Sequence, residues 1–308
     1  MDNVEFKQYL KKKRETLSNS SINTYSSILR SLYKKVFGEG LIDVKKFENT
    51  KTIIKHLEDI PPNRRKTILS ALVIITDKKE YRELMMDDIQ RYKEEINKQE
   101  KTDAQEKNWV TSEEIGAKLK ELQKIATPLM TKQTSLTNGE LQQVQNYIIL
   151  ALLGGSMGIL PRRAKDYVDF KIRNINTKED NYMTEDGKQL VFNSYKTARA
   201  YGEQRIKLPT KLRNILRKWI TLNPSDYLLI DSLNQPLGGP MKSANGSVKL
   251  NQRLEKIFNG KKAGVNMLRH AKLTEKFGNM IEQEKNIDST MKEMGSSSSQ
   301  LKNYVKKD

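Results

Sequence analysis

The sequence predicts a mainly α-helical protein with a small antiparallel sheet, an α+β arrangement. Apolar residues recur at three- and four-residue spacing along most of the chain, as they do in amphipathic helices. The alternation typical of strands is confined to short segments of the second half, two of which flank a polar, glycine-containing turn. The length of 308 residues suits two domains rather than one.

The first 98 residues predict a bundle of short helices. Asp2 and Asn3 are candidate N-caps for the first helix, a serine-rich turn at 18–21 precedes the second, and Pro61-Pro62 marks the start of the fourth. The five expected helices cover residues 4–14, 22–37, 47–57, 62–76 and 78–98. Residues 99–108 are polar and charged, so we expect a linker there and a second domain over 109–308.

The second domain mixes helices with a few strands. We expect a strand over 166–175 and a hairpin of strands 189–195 and 203–208. The glycine-rich LGGSMG at 153–158 has neither the preceding strand nor the lysine of a phosphate-binding loop, which favours a helix stop. The expected helices cover residues 111–125, 137–153, 209–222, 247–258, 265–277 and 281–293.

Composition narrows the possible functions. The chain has 56 Lys and Arg against 38 Asp and Glu, a net charge of +18 that favours a polyanionic partner such as nucleic acid. The absence of cysteine excludes a thiol nucleophile and cysteine-ligated metals, and two histidines are too few for a three-histidine centre. We therefore expect no metal and no cofactor. The charged N-terminus and short apolar runs predict an intracellular protein without a membrane partner, in the cytoplasm or the nucleus.

Four short motifs carry the chemistry. An arginine pair in GILPRRAKDYVDF at 158–170 is followed by an acid, and SYKT at 194–197 places a lysine at the expected hairpin. VNMLRH at 265–270 lies in an expected helix, and a Met-Gly and a serine run precede Tyr304. In order and spacing these motifs resemble the tyrosine recombinase (phage integrase) family. The first motif also resembles integrases of DNA viruses and virus-like transposons, and LSNSSINTYSSILRSLYKKV at 17–36 resembles the family's core-binding helices.

The resemblance implies a core-binding domain followed by a catalytic domain that cleaves and rejoins DNA through a 3′-phosphotyrosine intermediate, without metal or ATP. Arg163 and Arg269 would bind the non-bridging phosphate oxygens, which two fixed guanidinium groups do well. Lys196 would protonate the leaving 5′ oxygen, with its pKa lowered by like charges and desolvation. Tyr304 would be the nucleophile, and the amide of Asn266 would add a neutral hydrogen bond.

Further residues would support these five. Arg162 is expected to contact the DNA backbone or a carboxylate, Asp166 to orient Arg163, and His270 to lie behind the reacting groups or in the core. The sequence departs from the family at Asn266, which replaces the first catalytic histidine, and at Ser296, which stands at the later His/Trp position. Two alternatives therefore stay open: a type IB topoisomerase-like enzyme, and a degenerate protein that only binds DNA.

The resemblance implies a partner and an assembly as well. The partner would be double-stranded DNA, enclosed by both domains, with a dimer at each site and a tetramer during strand exchange. Basic residues near helix ends of the first domain are candidate DNA contacts, and the alternative is a solvated lysine-rich face. They are Lys11, Lys12, Lys13, Arg14, Arg64, Arg65 and Lys66.

Overall fold

The computed structural model describes residues 1–239 and 243–305, without the side chains of residues 243, 244 and 304. The chain divides into two compact units, Met1–Lys101 and Thr102–Asp308, each with a hydrophobic core of its own. Within the described ranges, no helix combines the length and the apolar character that crossing a bilayer requires.

The N-terminal unit, described throughout, is a bundle of five α-helices and one 3-10 helix. The expected helix over 47–57 is divided, because the side chain of Asn49 accepts a hydrogen bond from the Thr52 N–H at 3.2 Å and starts a new helix there. The elements are α1 Asn3–Lys13, α2 Asn19–Phe37, the 3-10 helix Val44–Glu48, α3 Thr50–Leu57, α4 Pro62–Thr76 and α5 Lys79–Asn97.

Side-chain caps fix where the first two helices begin. Asp2 Oδ1 accepts from the Glu5 N–H, and Glu5 Oε2 accepts from the Asp2 N–H, both at 2.9 Å, which is a capping box. Ser18 Oγ accepts from the Ser21 N–H at 3.1 Å at the start of α2. The apolar faces of the helices meet in a core whose fully buried members include Phe6, Leu10, Leu29, Phe47, Leu72 and Tyr81.

The C-terminal unit is built around one buried helix, in which every residue from 147 to 153 is buried. A short helix, capped by Thr102 and Gln105, occupies part of the segment expected to be a linker. The helices are α6 Asp103–Asn108, α7 Ser112–Leu129, the buried α8 Asn138–Leu153, α9 Ala164–Val168, α10 Ala198–Tyr201, α11 Thr210–Leu222, α12 Ser243–Ile257, α13 Val265–Glu293 and α14 Leu301–Tyr304, with a 3-10 helix at Ser298–Gln300. The strands are β1 Phe170–Lys171, β2 Asn181–Met183, β3 Gln189–Phe192 and β4 Gln204–Lys207.

The sheet of the described residues has the order β1-β2-β3-β4 and is mixed, which corrects the expectation of an antiparallel sheet. The expected hairpin is confirmed, since β3 and β4 pair antiparallel with Leu190 opposite Ile206. β1 and β2, however, pair in parallel, with Phe170 opposite Asn181. The loop 172–180 returns the chain to the starting end of β1, so the second strand runs in the same direction as the first.

Two other expected elements are wrong. Most of the strand expected over 166–175 is absent because residues 164–168 form α9. Asp166 of this helix pairs with Arg162, which lies four residues earlier, just before the helix begins. The helices expected over 265–277 and 281–293 are a single helix, α13. Gly278 lies inside it, and a glycine costs a helix only about 1 kcal/mol relative to alanine, which does not end one of this length.

α9 is held in place by close packing against α12. A Cβ atom on Gly246 of α12 would lie 2.5 Å from Val168 Cγ1 and 2.4 Å from the Leu237 carbonyl oxygen. Only glycine therefore permits this approach. The contact matters because α9 directly follows the arginine pair.

Candidate active site

A cavity of about 250 Å³ in the C-terminal unit collects residues from three segments that are distant in sequence. They are the turn leading into α9, the connection between β3 and β4, and the first turns of α13. Two predicted catalytic residues, Arg163 and Arg269, line the same cavity as the predicted supporting residues Arg162 and Asp166. The lining residues are Pro161, Arg162, Arg163, Asp166, Tyr195, Thr197, Tyr201, Gln204 and Arg269.

The guanidinium of Arg162 is fixed by the protein itself. Its Nε donates to Asp166 Oδ2 at 3.0 Å, and its Nη1 donates to Gln204 Oε1 at 2.6 Å. The same group lies 4.1 Å from the centroid of the Phe192 ring and 4.9 Å from that of Tyr195. Arg162 thus joins α9 to the sheet and forms one wall of the cavity.

Asp166 is the acidic member of the cavity and is almost fully buried. Burial raises the pKa of its carboxyl group, while the charge of Arg162, its hydrogen bond, and the charge of Arg163 act in the opposite direction. Three guanidinium groups therefore face a single carboxyl group, so the cavity has an excess of positive charge.

Arg163 and Arg269 differ from Arg162 in forming no ion pair with a described residue. Both are half-buried, and Arg269 Nη1 donates to Asn266 Oδ1 at 3.3 Å. A guanidinium group has several N–H donors in a planar fork, so most donors of these two residues stay available to an anion. Two such groups at one cavity suit the oxygens of a phosphate.

Three predicted site residues share one face of α13. Asn266, Arg269 and His270 are three and four residues apart, the spacing of neighbours on a helix surface. Asn266 and His270 are exposed and line a separate cavity of about 320 Å³ that also includes Ala164, next to Arg163. His270 therefore lies at the surface rather than in the core.

The predicted general acid, Lys196, is exposed and does not line the cavity, although Tyr195 and Thr197 on either side of it do. Its segment is anchored by the buried side chain of Asn181. The Asn181 amide donates to the Asp166 carbonyl oxygen at 3.0 Å and to the Ser194 carbonyl oxygen at 2.8 Å, and its oxygen accepts from the Ser194 N–H at 2.8 Å. Asn181 thereby fixes the lysine segment relative to α9.

The Met-Gly before the serine run ends α13. The Ser296 N–H donates to the Met291 carbonyl oxygen at 2.8 Å, and the Gly295 N–H donates to that of Lys292 at 2.9 Å, with Gly295 at φ 69°. This pair of bonds is a Schellman motif, which favours glycine at that position. Tyr304 belongs to α14, and its side chain, the predicted nucleophile, lies outside the described residues.

The predicted DNA contacts of the N-terminal unit fall into two groups. Lys11, Lys12 and Lys13 lie in the last turn of α1, followed by Arg14, and all four are exposed, as is Arg64 near the start of α4. The other two are half-buried: Arg65 forms an ion pair with Asp88, and Lys66 Nζ lies 3.1 Å from the centroid of the Tyr92 ring.

Sequence reasoning missed Gln204 and Asn181, which orient Arg162 and the lysine segment. Gln204 is the first residue of β4 and lies two positions before Ile206, so the period of two in the expected strand was the available signal. Asn181 follows a polar loop and carries no such signal. Among the described residues, no three His, Asp or Glu side chains form a group that could hold a metal ion.

No protein-family model matches this chain, and a search of curated proteins gives no match. The functional proposal therefore depends on the sequence motifs and on the geometry of the cavity.

Proposed function

We propose that this protein is a tyrosine recombinase-like enzyme that cleaves and rejoins DNA strands through a covalent phosphotyrosine intermediate, without metal or ATP. The supporting observation is that Arg163 and Arg269 line one cavity and form no ion pair with a described residue. The net charge of +18 supports a nucleic acid as the substrate.

The cavity has the donors that attack on a phosphodiester requires. Negative charge develops on the non-bridging oxygens in the transition state, and fixed donors stabilise it because they need no reorganisation during the reaction. Arg163 and Arg269 would each bind these oxygens through the guanidinium fork. Asp166 and Gln204 hold two of the five N–H groups of Arg162 and fix its position, so we assign it the role of shaping and charging the cavity.

The covalent step assigns roles to two further residues. The Tyr304 oxygen attacks phosphorus, so a phosphorus–tyrosine bond forms as the bond to the 5′ oxygen breaks. For this step the phenol, whose ordinary pKa is about 10, must release its proton to solvent, and positive charge around the bound phosphate would favour that release. Lys196 protonates the 5′ oxygen, which requires its flexible stem to reach from the anchored segment to the bound phosphate.

Asn266 would supply a neutral donor in place of the family's histidine. Its oxygen accepts from Arg269, which orients the amide and turns its nitrogen away from that contact. The nitrogen would donate to a phosphate oxygen. An amide does not ionise near neutral pH, so Asn266 would bind the phosphate but would not act as a general acid or base.

The task proposed for this chemistry is integration or excision of mobile DNA. The N-terminal unit would act as the core-binding domain, with a dimer on each site and a tetramer during strand exchange. A topoisomerase-like monomer differs by a simple criterion: it relaxes a single plasmid without producing recombinants, whereas a recombinase joins two sites in a concentration-dependent reaction.

DNA binding without cleavage is a second candidate function. Lys196 is exposed and absent from the lining of the arginine cavity, and Asn266 lines a different cavity. Both observations suit a protein in which the arginine cavity holds a phosphate but the remaining groups do not act on it.

The target sequence is first recovered by selection from random DNA. A nicked suicide duplex that contains this sequence then separates the two functions. We expect a covalent protein–DNA adduct in the presence of EDTA, reduced about 100-fold or more in Arg163→Gln and Arg269→Gln, by analogy with loss of a transition-state donor. Arg205→Gln is the matched control, because Arg205 lies on β4 outside the cavity lining and pairs with Glu203. Saturated binding without any adduct would contradict the enzyme and support the second candidate.

A further inference from the structure

Arg253 on α12 is a half-buried arginine surrounded by neutral acceptors. Its Nε donates to Asn146 Oδ1 at 2.8 Å, its Nη1 lies 3.4 Å from the Ile230 carbonyl oxygen, and its Nη2 donates to Gln142 Oε1. None of these acceptors carries a charge. The three contacts leave one N–H on each terminal nitrogen without a partner among the described residues.

Arg253 differs from the two half-buried arginines of this protein that are paired with acids. Arg65 is paired with Asp88 and Arg162 with Asp166, as is usual for a buried cation. Arg253 forms no ion pair with a described residue, and burial lowers its pKa to about 10. Its surroundings therefore penalise the positive charge without supplying a negative one.

A cavity of about 270 Å³ opens beside this guanidinium. Lys249, Gln252 and Lys256 line it together with Arg253, and their spacing places all four on one face of α12. Asp231 is the only carboxylate among the described lining residues, and its Oδ2 lies 3.4 Å from Lys249 Nζ. Arg253 and Lys256 are left without an acidic partner in the described part of the chain.

We propose that this cavity binds a phosphate group, supplied either by a small phosphorylated ligand or by the backbone of DNA. A tetrahedral oxyanion can accept from the unused N–H groups of Arg253, from Lys256 and from the Gln252 amide at the same time, and it supplies the missing charge. The cavity shares no lining residue with the arginine cavity of the candidate active site. The inference does not depend on the proposed function.

Arginine side-chain NMR tests the site directly, because each arginine side chain has an Nε–H group of its own that reports on its surroundings. Arg253→Lys assigns the signal, and inorganic phosphate and a short random-sequence duplex are then titrated in turn. The double variant Lys249→Gln/Lys256→Gln removes charge from the rim of the cavity at exposed positions that do not threaten folding. Lys211→Gln/Lys218→Gln on α11 is the matched control, with the same charge loss at another cavity.

We expect a saturable shift of the Arg253 signal, with affinity about tenfold weaker in the rim variant and within about twofold of wild type in the control. A shift by phosphate alone identifies a small phosphorylated ligand. A shift by the duplex identifies DNA, and the rim variant then also lowers the salt dependence of DNA binding. The proposal is overturned if neither probe shifts the signal, or if the rim and control variants weaken binding equally.

Discussion

Replacing Asp88 by alanine tests the buried ion pair of the N-terminal unit. The Asp88 side chain is 0% exposed and that of Arg65 is 11% exposed. Arg65 Nε and Nη2 donate to the two carboxylate oxygens at 2.8 and 2.7 Å, and its remaining contacts are carbonyl oxygens at 3.3 and 3.4 Å. Removing the carboxylate leaves a buried cation with only these long contacts, which costs about 3–5 kcal/mol.

That cost is a large part of the stability of a typical domain, about 5–15 kcal/mol. Replacing both partners by apolar residues, Arg65→Met with Asp88→Leu, removes the uncompensated charge and restores most of the stability. Arg64→Ala is the surface control, because Arg64 is exposed and such substitutions stay within about 0.5 kcal/mol.

Urea denaturation followed by two probes reports the result. Both tryptophans, Trp109 and Trp219, belong to the C-terminal unit, so tryptophan fluorescence follows that unit while far-UV circular dichroism follows both. We expect Asp88→Ala to move part of the dichroism transition to lower urea and to leave the fluorescence transition unchanged. An effect below about 1 kcal/mol, or a double variant as unstable as the single one, would refute the reasoning.

Three further predictions concern the C-terminal unit. Lys132 and the capping contacts lower the pKa of Glu140 to about 2, so its stabilising effect is complete above about pH 4.5 and is lost as the pH falls towards 2. We expect the difference in unfolding free energy between wild type and Glu140→Gln, measured by urea denaturation, to be smaller at pH 3 than at pH 7. An equal difference at both pH values would contradict this. Asn181→Ala is expected to slow adduct formation at least about tenfold, because it frees the Lys196 segment. DNA affinity in a filter-binding assay is expected to stay within about twofold of wild type. Equal losses of adduct formation and of DNA affinity would mean that Asn181 has a purely structural role. Gly246→Ala is expected to lower the free energy of unfolding by about 1–3 kcal/mol, because its Cβ would overlap the Leu237 carbonyl oxygen. The fluorescence transition then moves to lower urea. An unchanged midpoint would show that α12 shifts freely.

Local signals predicted the elements whose ends are set by neighbouring residues. Asp2 and Ser18 cap the first two helices, Pro62 starts α4, and the polar turn at 196–202 joins the strands of the hairpin. The arginine pair and Arg269 were found from motif spacing, and the structure brings them to one cavity. Each of these features is encoded within a few residues.

Features that depend on distant partners could not be predicted in this way. Arg64 and Arg65 are adjacent and chemically identical in sequence, yet only Arg65 faces the buried Asp88 of α5. The parallel pairing of β1 with β2 and the anchoring role of Asn181 likewise depend on tertiary contacts. The alternation at 166–175 was misleading because burial of Asp166 and Tyr167 follows from packing of α9 rather than from a strand.

Mapping the covalent adduct by mass spectrometry tests the central claim most directly. The account predicts that the DNA-linked peptide from the wild-type protein carries Tyr304 and that Tyr304→Phe forms no adduct. Tyr201→Phe, which alters an exposed tyrosine lining the arginine cavity, is expected to keep the adduct. An adduct on Tyr201 or on any residue other than Tyr304, or an adduct that persists in Tyr304→Phe, would contradict the account.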